Sequence, residues 1–267
     1  MFAAQLGIAL DYRAIEAGRS DFARALDAFA REGGVGANVT LPLKQDALAL
    51  CSTVDDGALR CRSVNMLTRE DGGWRGESTD GVGLLLDLHM HHGFETRCHG
   101  TRSRCLLLGA GGAARAVAFA LADAQVDRLV IANRTHERAS ELARAVRASG
   151  AGRGESIVEA IEWNALVDAG AFDYVLHATS AGHDGAPLAL PSSLAADALC
   201  YDLSYGAAAR PFLQWSKSAG ARAIADGLGM LIEQAAKSFC GWHGQAPETA
   251  PVFDAIRRER PLAIDGA

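Results

Sequence analysis

The chain has 267 residues, 49% of them hydrophobic, with a formal charge of -6 and a pI near 5.7. That length can bury one large core or two moderate ones, with two domains the better reading, and the acidic balance argues against a nucleic-acid partner, because neutralising phosphate backbones takes a basic face that no stretch supplies. No apolar run reaches the roughly 20 residues that span a membrane, no signal-peptide pattern opens the chain, and the six cysteines form no C-x-x-C pair, so a soluble cytoplasmic protein with reduced thiols is expected.

The first residues, Met1 to Ile8, read as the end of a helix, and a strand is expected around Leu10 to Ile15. Ser20 and Asp21 precede a helix with Phe22, Leu26 and Phe29 on one face, stopped by Gly33 and Gly34. A strand near Val35 to Val39 leads to Pro42, which suits the first helical position and would place Lys44 in the opening turn. A lysine there meets the positive end of the helix; a solvated side chain and a functional one both fit the pattern. Two strands, Ser63 to Thr68 and Trp74 to Ser78, join through Asp71-Gly72-Gly73, and a helix from Gly81 to His92 follows with Asp80 in the capping position. Capping alone explains an aspartate. Placed at the C-terminal ends of neighbouring strands, however, Lys44 and Asp80 would face the crevice where open α/β sheets bind ligands. His89, His91 and His92, with His99 nearby, suit the negative end of that helix and have no Cys or carboxylate at ligand spacing, so no metal site is expected.

The polar, basic stretch Glu95 to Arg104 reads as a linker. Beyond it, strands near Cys105, Leu129, Ile157, Tyr174, Cys200 and Ala223 alternate with helices, the pattern of a parallel sheet covered on both faces. A long helix runs from Gly227 to Gly241, and another follows Pro247. After the first strand of this half comes Gly109-Ala110-Gly111-Gly112-Ala113-Ala114-Arg115. Its glycines let the backbone turn tightly and approach a pyrophosphate, whose charge then meets the free amides of the next helix. The second strand ends in Asn133, where a site for an unmodified ribose would carry an acid, and Arg134, Thr135 and Arg138 follow. Guanidinium groups at that position attract a 2′-phosphate, so the two turns read as an NADP site.

Eight segments then stand in register with one family: Asn38-Val-Thr-Leu-Pro-Leu-Lys44, Val64-Asn65, Ser78-Thr79-Asp80-Gly81, the glycine-rich turn, Asn133-Arg134-Thr135, Ala178-Thr-Ser-Ala-Gly182, Tyr201-Asp-Leu-Ser-Tyr205 and Asp226-Gly-Leu-Gly-Met-Leu-Ile-Glu-Gln234. Over nearly its whole length the chain resembles the shikimate dehydrogenases. The resemblance implies an α/β fold of two domains: a Rossmann-type NADP-binding domain, residues 99–226, and a discontinuous α/β substrate domain, residues 1–98 and 227–267, whose final helices pack back on the N-terminal half. It implies reversible reduction of 3-dehydroshikimate to shikimate by NADPH, a step toward the aromatic amino acids, in a cleft between the domains of a cytoplasmic monomer or homodimer. Lys44 and Asp80 would be the catalytic pair, with Thr40, Asn65, Thr79, Tyr205 and Gln234 against the substrate. Leu203, Gly227 and Met230 would join Gly109, Ala110, Gly111, Gly112, Ala113, Asn133, Arg134, Thr135 and Arg138 around the cofactor.

The chain also departs from that family. Its members begin with a short apolar strand and a Ser-x-Ser-x-Pro segment whose serines bind the substrate carboxylate, whereas this chain opens in the helix after them. Two hydrogen bonds to a carboxylate are worth roughly 3 to 6 kcal/mol, so the chain is expected to bind NADP and to turn over shikimate weakly, either as a fragment begun at an internal methionine or as an impaired paralogue. The neighbours of that strand are expected to lack a partner. Ser78 and His177 stand where Asn is usual, and Gly206-Ala-Ala-Ala-Arg210 replaces a more Pro-rich turn. A quinate-using enzyme of broader specificity and another two-domain NADP enzyme, such as a methylenetetrahydrofolate dehydrogenase, are the competing readings.

Overall fold

The structure, a computed structural model, describes residues 1–94, 103–151, 156–182 and 184–264. His99 and most of the expected linker, residues 95–102, lie outside them. The first half runs through α1 (Phe2–Gln5), α2 (Phe22–Arg31), β1 (Gly36–Asn38), α3 (Lys44–Leu50), β2 (Thr53–Val54), α4 (Asp56–Cys61), β3 (Met66–Glu70), β4 (Gly73–Glu77) and α5 (Asp80–His92). Its sheet has the order β1-β3-β4-β2, with β3 antiparallel to both neighbours. The β3–β4 hairpin turns where expected, and Gly73 takes a φ of +141° that a side chain would resist. One face of the sheet buries Leu67 and Trp74 beneath Phe22 and Leu26 of α2, Ala47 of α3 and Ala58 of α4.

Residues Leu10 to Ile15 do not form the expected strand; they carry no regular structure and are exposed. Among the described residues nothing pairs with the outer edge of β1, and a strand without a ladder partner gains nothing over hydration. In the other direction, β2 and α4 were not expected from the sequence. They are too short to show a period, although Asp55 caps α4 by accepting the Ala58 N–H at 2.8 Å.

The second half alternates regularly: β5 (Arg104–Leu108), α6 (Gly112–Asp123), β6 (Arg128–Ala132), α7 (His136–Ala148), β7 (Ile157–Ile161), β8 (Tyr174–His177), β9 (Leu199–Asp202), α8 (Arg210–Ser218) and β10 (Ala223–Asp226). All six strands are parallel, in the order β10-β9-β8-β5-β6-β7. Successive residues feed opposite faces: Cys105, Leu107 and Ile131 pack toward α6 and α7, while Leu106, Leu108 and Val130 pack toward α8 and the tail residues Leu262 and Ile264. Chain direction across the sheet reverses between β5 and β8, which opens a crevice at their C-terminal ends.

Two further helices, α9 (Leu228–His243) and α10 (Ala250–Glu259), return to the first half. Trp242, near the end of α9, donates to Leu67 O at 3.0 Å and covers Gly36. Phe2 packs on Phe239 with ring centroids 6.0 Å apart.

Where α5, β9 and α9 meet, Asp87 is shut away from water. Tyr201 Oη donates to its Oδ2 at 2.6 Å and itself accepts the Met230 N–H at 3.3 Å. Burial pushes the Asp87 carboxyl up to about 6, against the opposing pull of the Tyr201 hydrogen bond. Burial drives His92, 3.9 Å from that carboxylate, down to about 4, and His91 and Arg257 add to the shift. Between about pH 4 and 6 the folded chain therefore holds a proton on Asp87 that the unfolded chain has released, and lacks one on His92 that the unfolded chain retains. The two slopes cancel. His92→Gln should unmask Asp87, so that stability relative to the parent falls by about 3 kcal/mol as pH rises from 4 to 6. Asp87→Asn should give the opposite slope, with stability lost as pH falls from about 6.5 to 4. Urea midpoints measured across that range test both, and curves parallel to the parent's would refute the pairing.

Candidate active site

Because β3 runs opposite to β1 and β4, one edge of the small sheet gathers the ends of β1 and β4 and the start of β3. Lys44 follows β1, Asn65 precedes β3 and Asp80 follows β4. The strands carrying Lys44 and Asp80 are not neighbours as the sequence suggested; β3 lies between them, and Asn65 is the bridge. Lys44 is the first residue of α3, tied down by the Val64 N–H, which donates to its carbonyl at 2.9 Å. Pro42 does not start the helix: it sits in the turn ahead, after a cis Leu41–Pro42 bond, and Leu43 is the residue at the helix boundary. Asp80 likewise opens α5, one place past the cap position, and no side-chain cap bond forms there. Its oxygens are engaged elsewhere. Lys44 Nζ donates to Oδ2 at 2.5 Å and Asn65 Nδ2 to Oδ1 at 2.9 Å, with Asp80 only 1% exposed. The lysine that the helix N-terminus disfavours is thus held by a buried opposite charge, and two of its three N–H donors are left for the cleft it lines.

The Asn65 amide has a determined orientation. Its Oδ1 accepts the Thr79 N–H at 2.7 Å, which turns Nδ2 toward three acceptors: Thr79 Oγ1 at 2.9 Å, Asp80 Oδ1 at 2.9 Å and Gln234 Oε1 at 2.8 Å. Two protons serve three acceptors, so the Gln234 amide is the one with capacity to spare. Thr79, expected to touch a ligand, is buried behind Asn65 and does not line the cleft, whereas Thr40, Asn65, Tyr205 and Gln234 do.

The cleft has a volume of about 970 Å³ and draws its walls from both halves. Opposite Lys44 lies the glycine-rich turn. Gly109 takes φ +122°, and a Cβ there would stand 2.6 Å from Ala178 O; a Cβ on Gly111 would project into open space. The first amides of α6 have no side-chain cap. Gly112 lies behind the wall against Ser63, and Arg115 points away, with Nε donating to Cys61 O at 3.0 Å, which ties α6 to α4. Burial pushes the Arg115 guanidinium down. At the second turn Asn133 Nδ2 donates to Thr135 O at 2.9 Å, and Asn133, Arg134, Thr135 and Arg138 all face the cleft. Leu203, Gly227 and Met230 complete the other end. Sequence reasoning assigned no site role to Tyr12, Trp163 and Thr179, which also line it. Among the described residues no group of three or more His, Cys, Asp or Glu could hold a metal ion, and no helix is long and apolar enough to cross a membrane.

The profile of the shikimate dehydrogenase substrate binding domain matches residues 1–67, and that of shikimate / quinate 5-dehydrogenase matches residues 95–183. A shikimate dehydrogenase (NADP(+)) of Xanthomonas campestris pv. campestris (strain 8004) is 48% identical over 98% of this chain and 90% of its own length. An Ael1 enzyme from Pseudomonas putida superposes with a TM-score of 0.84 at 36% identity, over 95% of this chain and 90% of that one. The shikimate 5-dehydrogenase of Thermus thermophilus, solved with NADP(H) and shikimate, does so with a TM-score of 0.77 at 29% identity, over 96% and 91%.

The cleft's far end depends on a contact that only glycine permits. A Cβ on Gly227 would stand 2.1 Å from Leu203 O. Gly227→Ala should therefore destabilise the fold by about 1–3 kcal/mol, the usual scale of overpacking. Gly18→Ala, with nothing within 4 Å of the added carbon, should stay within about 0.5 kcal/mol. Denaturant titration of the two variants checks the difference.

Proposed function

This chain belongs to the shikimate dehydrogenase family, and we propose that its cleft interconverts 3-dehydroshikimate and shikimate as an NADP-dependent oxidoreductase. The observation that carries this reading is the buried Lys44–Asp80 pair, bridged by Asn65, on the wall facing a glycine-rich turn and two arginines. The cofactor half fits NADP on its own terms. Gly109 lets the turn close against Ala178, Gly111 leaves open space that a side chain would fill, the uncapped amides of α6 suit a pyrophosphate, and Arg134 and Arg138 suit a 2′-phosphate. When bound, NADPH supplies the hydride that reduces the substrate carbonyl.

The chain's own residues handle the proton. Lys44, as an ammonium, stabilises the charge that develops on the substrate oxygen and gives that oxygen its proton; in the reverse direction the neutral amine takes the hydroxyl proton. Asp80 holds Lys44 in place. Asn65, Thr40, Tyr205 and Gln234 recognise substrate hydroxyls, and Thr79 acts through Asn65 by fixing its orientation. We assign residues 1–98 and 227–267 to the substrate domain and 99–226 to the cofactor domain, a division supported by the two separate sheets. The cytoplasmic placement has its support in Cys51, Cys61, Cys105, Cys200 and Cys240, all free thiols.

Two measurements test these roles. Lys44→Ala should lower kcat for shikimate oxidation by ~100-fold or more while KM for shikimate changes little, the mark of a group acting in the transition state. A variant that loses substrate affinity alone would make Lys44 a binding residue. Arg134→Ala should weaken NADP by about 10- to 100-fold and NAD far less, since a hydrogen bond to a charged partner is worth about 1.5–3 kcal/mol. Equal losses for the two cofactors in equilibrium binding would remove Arg134 from the 2′-phosphate site.

A further inference from the structure

The order of strands across the large sheet assigns successive strand ends to successive parts of a bound dinucleotide. The turn after β6 carries Arg134 and the turn after β5 the glycine-rich loop, while Leu203 and Gly227 follow β9 and β10. β8 lies between β5 and β9. On the NADP reading, on which this inference rests, the turn after β8 therefore faces the group that joins pyrophosphate to nicotinamide. That group is a ribose, and its free polar groups are hydroxyls.

Thr179 lines the cleft at this turn. Its Oγ1 accepts the Ala181 N–H at 3.1 Å and stands 2.7 Å from His177 Nε2. Behind it His177 Nδ1 is 2.9 Å from Asp202 Oδ2, and Asp202 Oδ1 accepts the Ser204 N–H at 2.8 Å. His177 and Asp202 are 1% and 0% exposed, and the imidazole stacks on Phe212 with ring centroids 4.8 Å apart. We propose that Thr179 holds the nicotinamide-side ribose as a hydrogen-bond acceptor, and that His177 and Asp202 set that polarity from behind.

In this scheme His177 is a neutral imidazole with its proton on Nδ1, the nitrogen facing the acceptor oxygen of Asp202, so Nε2 is bare and the one proton in reach of it is the Thr179 hydroxyl's. The hydroxyl thus donates inward. Of its two lone pairs one takes Ala181 N–H and the other is left for the cleft. A ribose hydroxyl donates and fits that lone pair; a phosphate oxygen, which only accepts, does not. Thr179 is a binding residue in this scheme, and His177 and Asp202 are positioning residues.

The test is equilibrium binding, by titration calorimetry, of NADP and of 2′,5′-ADP, which keeps the 2′-phosphate and lacks the nicotinamide ribose. Thr179→Val removes the acceptor. Asp202→Asn keeps the shape, but its oxygen must stay with the Ser204 N–H, so its NH2 faces His177 Nδ1, moves the ring proton to Nε2 and turns the Thr179 hydroxyl into a donor toward the cleft. Thr179→Val should weaken NADP by about 3- to 10-fold, the scale of one neutral hydrogen bond; Asp202→Asn should weaken it by up to that amount, because the ribose hydroxyl must then turn to accept; both should leave 2′,5′-ADP unchanged. The double variant should bind NADP no more weakly than Thr179→Val alone, because the relay then has no hydroxyl to act on. Additive losses, equal losses for both ligands, or unchanged NADP binding would overturn the proposal. Failure of the parent to bind 2′,5′-ADP would sink the NADP reading and this inference with it. Should Asp202→Asn not fold, nitrogen-15 NMR of His177 in the parent decides: a protonated Nδ1 with a bare Nε2 supports the relay, and a protonated Nε2 overturns it.

Discussion

Helix α5 passes within backbone contact of α6 on one side and α9 on the other, and glycine at positions 81 and 83 is what lets it. A Cβ at Gly81 would stand 2.6 Å from Ala116 O, and one at Gly83 would stand 2.9 Å from Met230 O. Helix axes normally keep 8–10 Å apart; small residues at a crossing bring them to the short end of that range. Three parts of the cleft are thereby brought together. Asp80 opens α5, the glycine-rich turn opens α6, and Met230 and Gln234 stand on α9. Two turns after Asp80, Asp87 reaches Tyr201, whose hydroxyl receives the Met230 amide. A single helix thus carries the buried charge beside Lys44 and the brace that holds the Met230 end of the cleft.

Burying a carboxylate such as Asp80 costs several kcal/mol unless both oxygens are engaged. Here Lys44 engages one and Asn65 the other. The arrangement is weak evidence for stability, since a buried ion pair often does no better than an apolar one of the same volume. Its distinctive property is incompleteness. Lys44, which lines the cleft, has donors left over, and Asn65 has more acceptors than protons. Asp87 shows a different resolution of the same cost: with one oxygen unpartnered, its carboxyl is driven toward the protonated form rather than paired with a cation.

The large sheet was legible in the sequence because its strands are buried on both faces and read as short apolar runs, such as Cys105-Leu-Leu-Leu108, separated by helices long enough to show a period. Lys44 and Asp80 were legible as residues out of place, a cation at a helix start and an acid after a strand. What failed were features that depend on something outside the segment. Leu10 to Ile15 has strand-like residues but no ladder to join. Pro42 and Asp80 each suit a helix boundary, yet the boundaries fall one or two residues away, because the turn before Lys44 and the pull of Lys44 on Asp80 are tertiary matters. Thr79 was placed on the ligand because its neighbours line the cleft, while its hydroxyl faces Asn65. Trp163 and Thr179 carry no charge and sit in no periodic pattern, so nothing local marks them as cleft residues.

Met230 and Gln234 are four residues apart on one face of α9, so about 6 Å of helix separates the cofactor end of the cleft from its substrate end. The start of that helix is held by Arg257, which grips Asp226 at 2.5 and 3.3 Å from α10, and by the Leu203 carbonyl pressed against Gly227. Its far end is held by Trp242 on the small sheet. On the roles proposed for these residues, the distance between the point of hydride exchange and the groups that recognise substrate hydroxyls is set by one turn of a helix fixed at both ends.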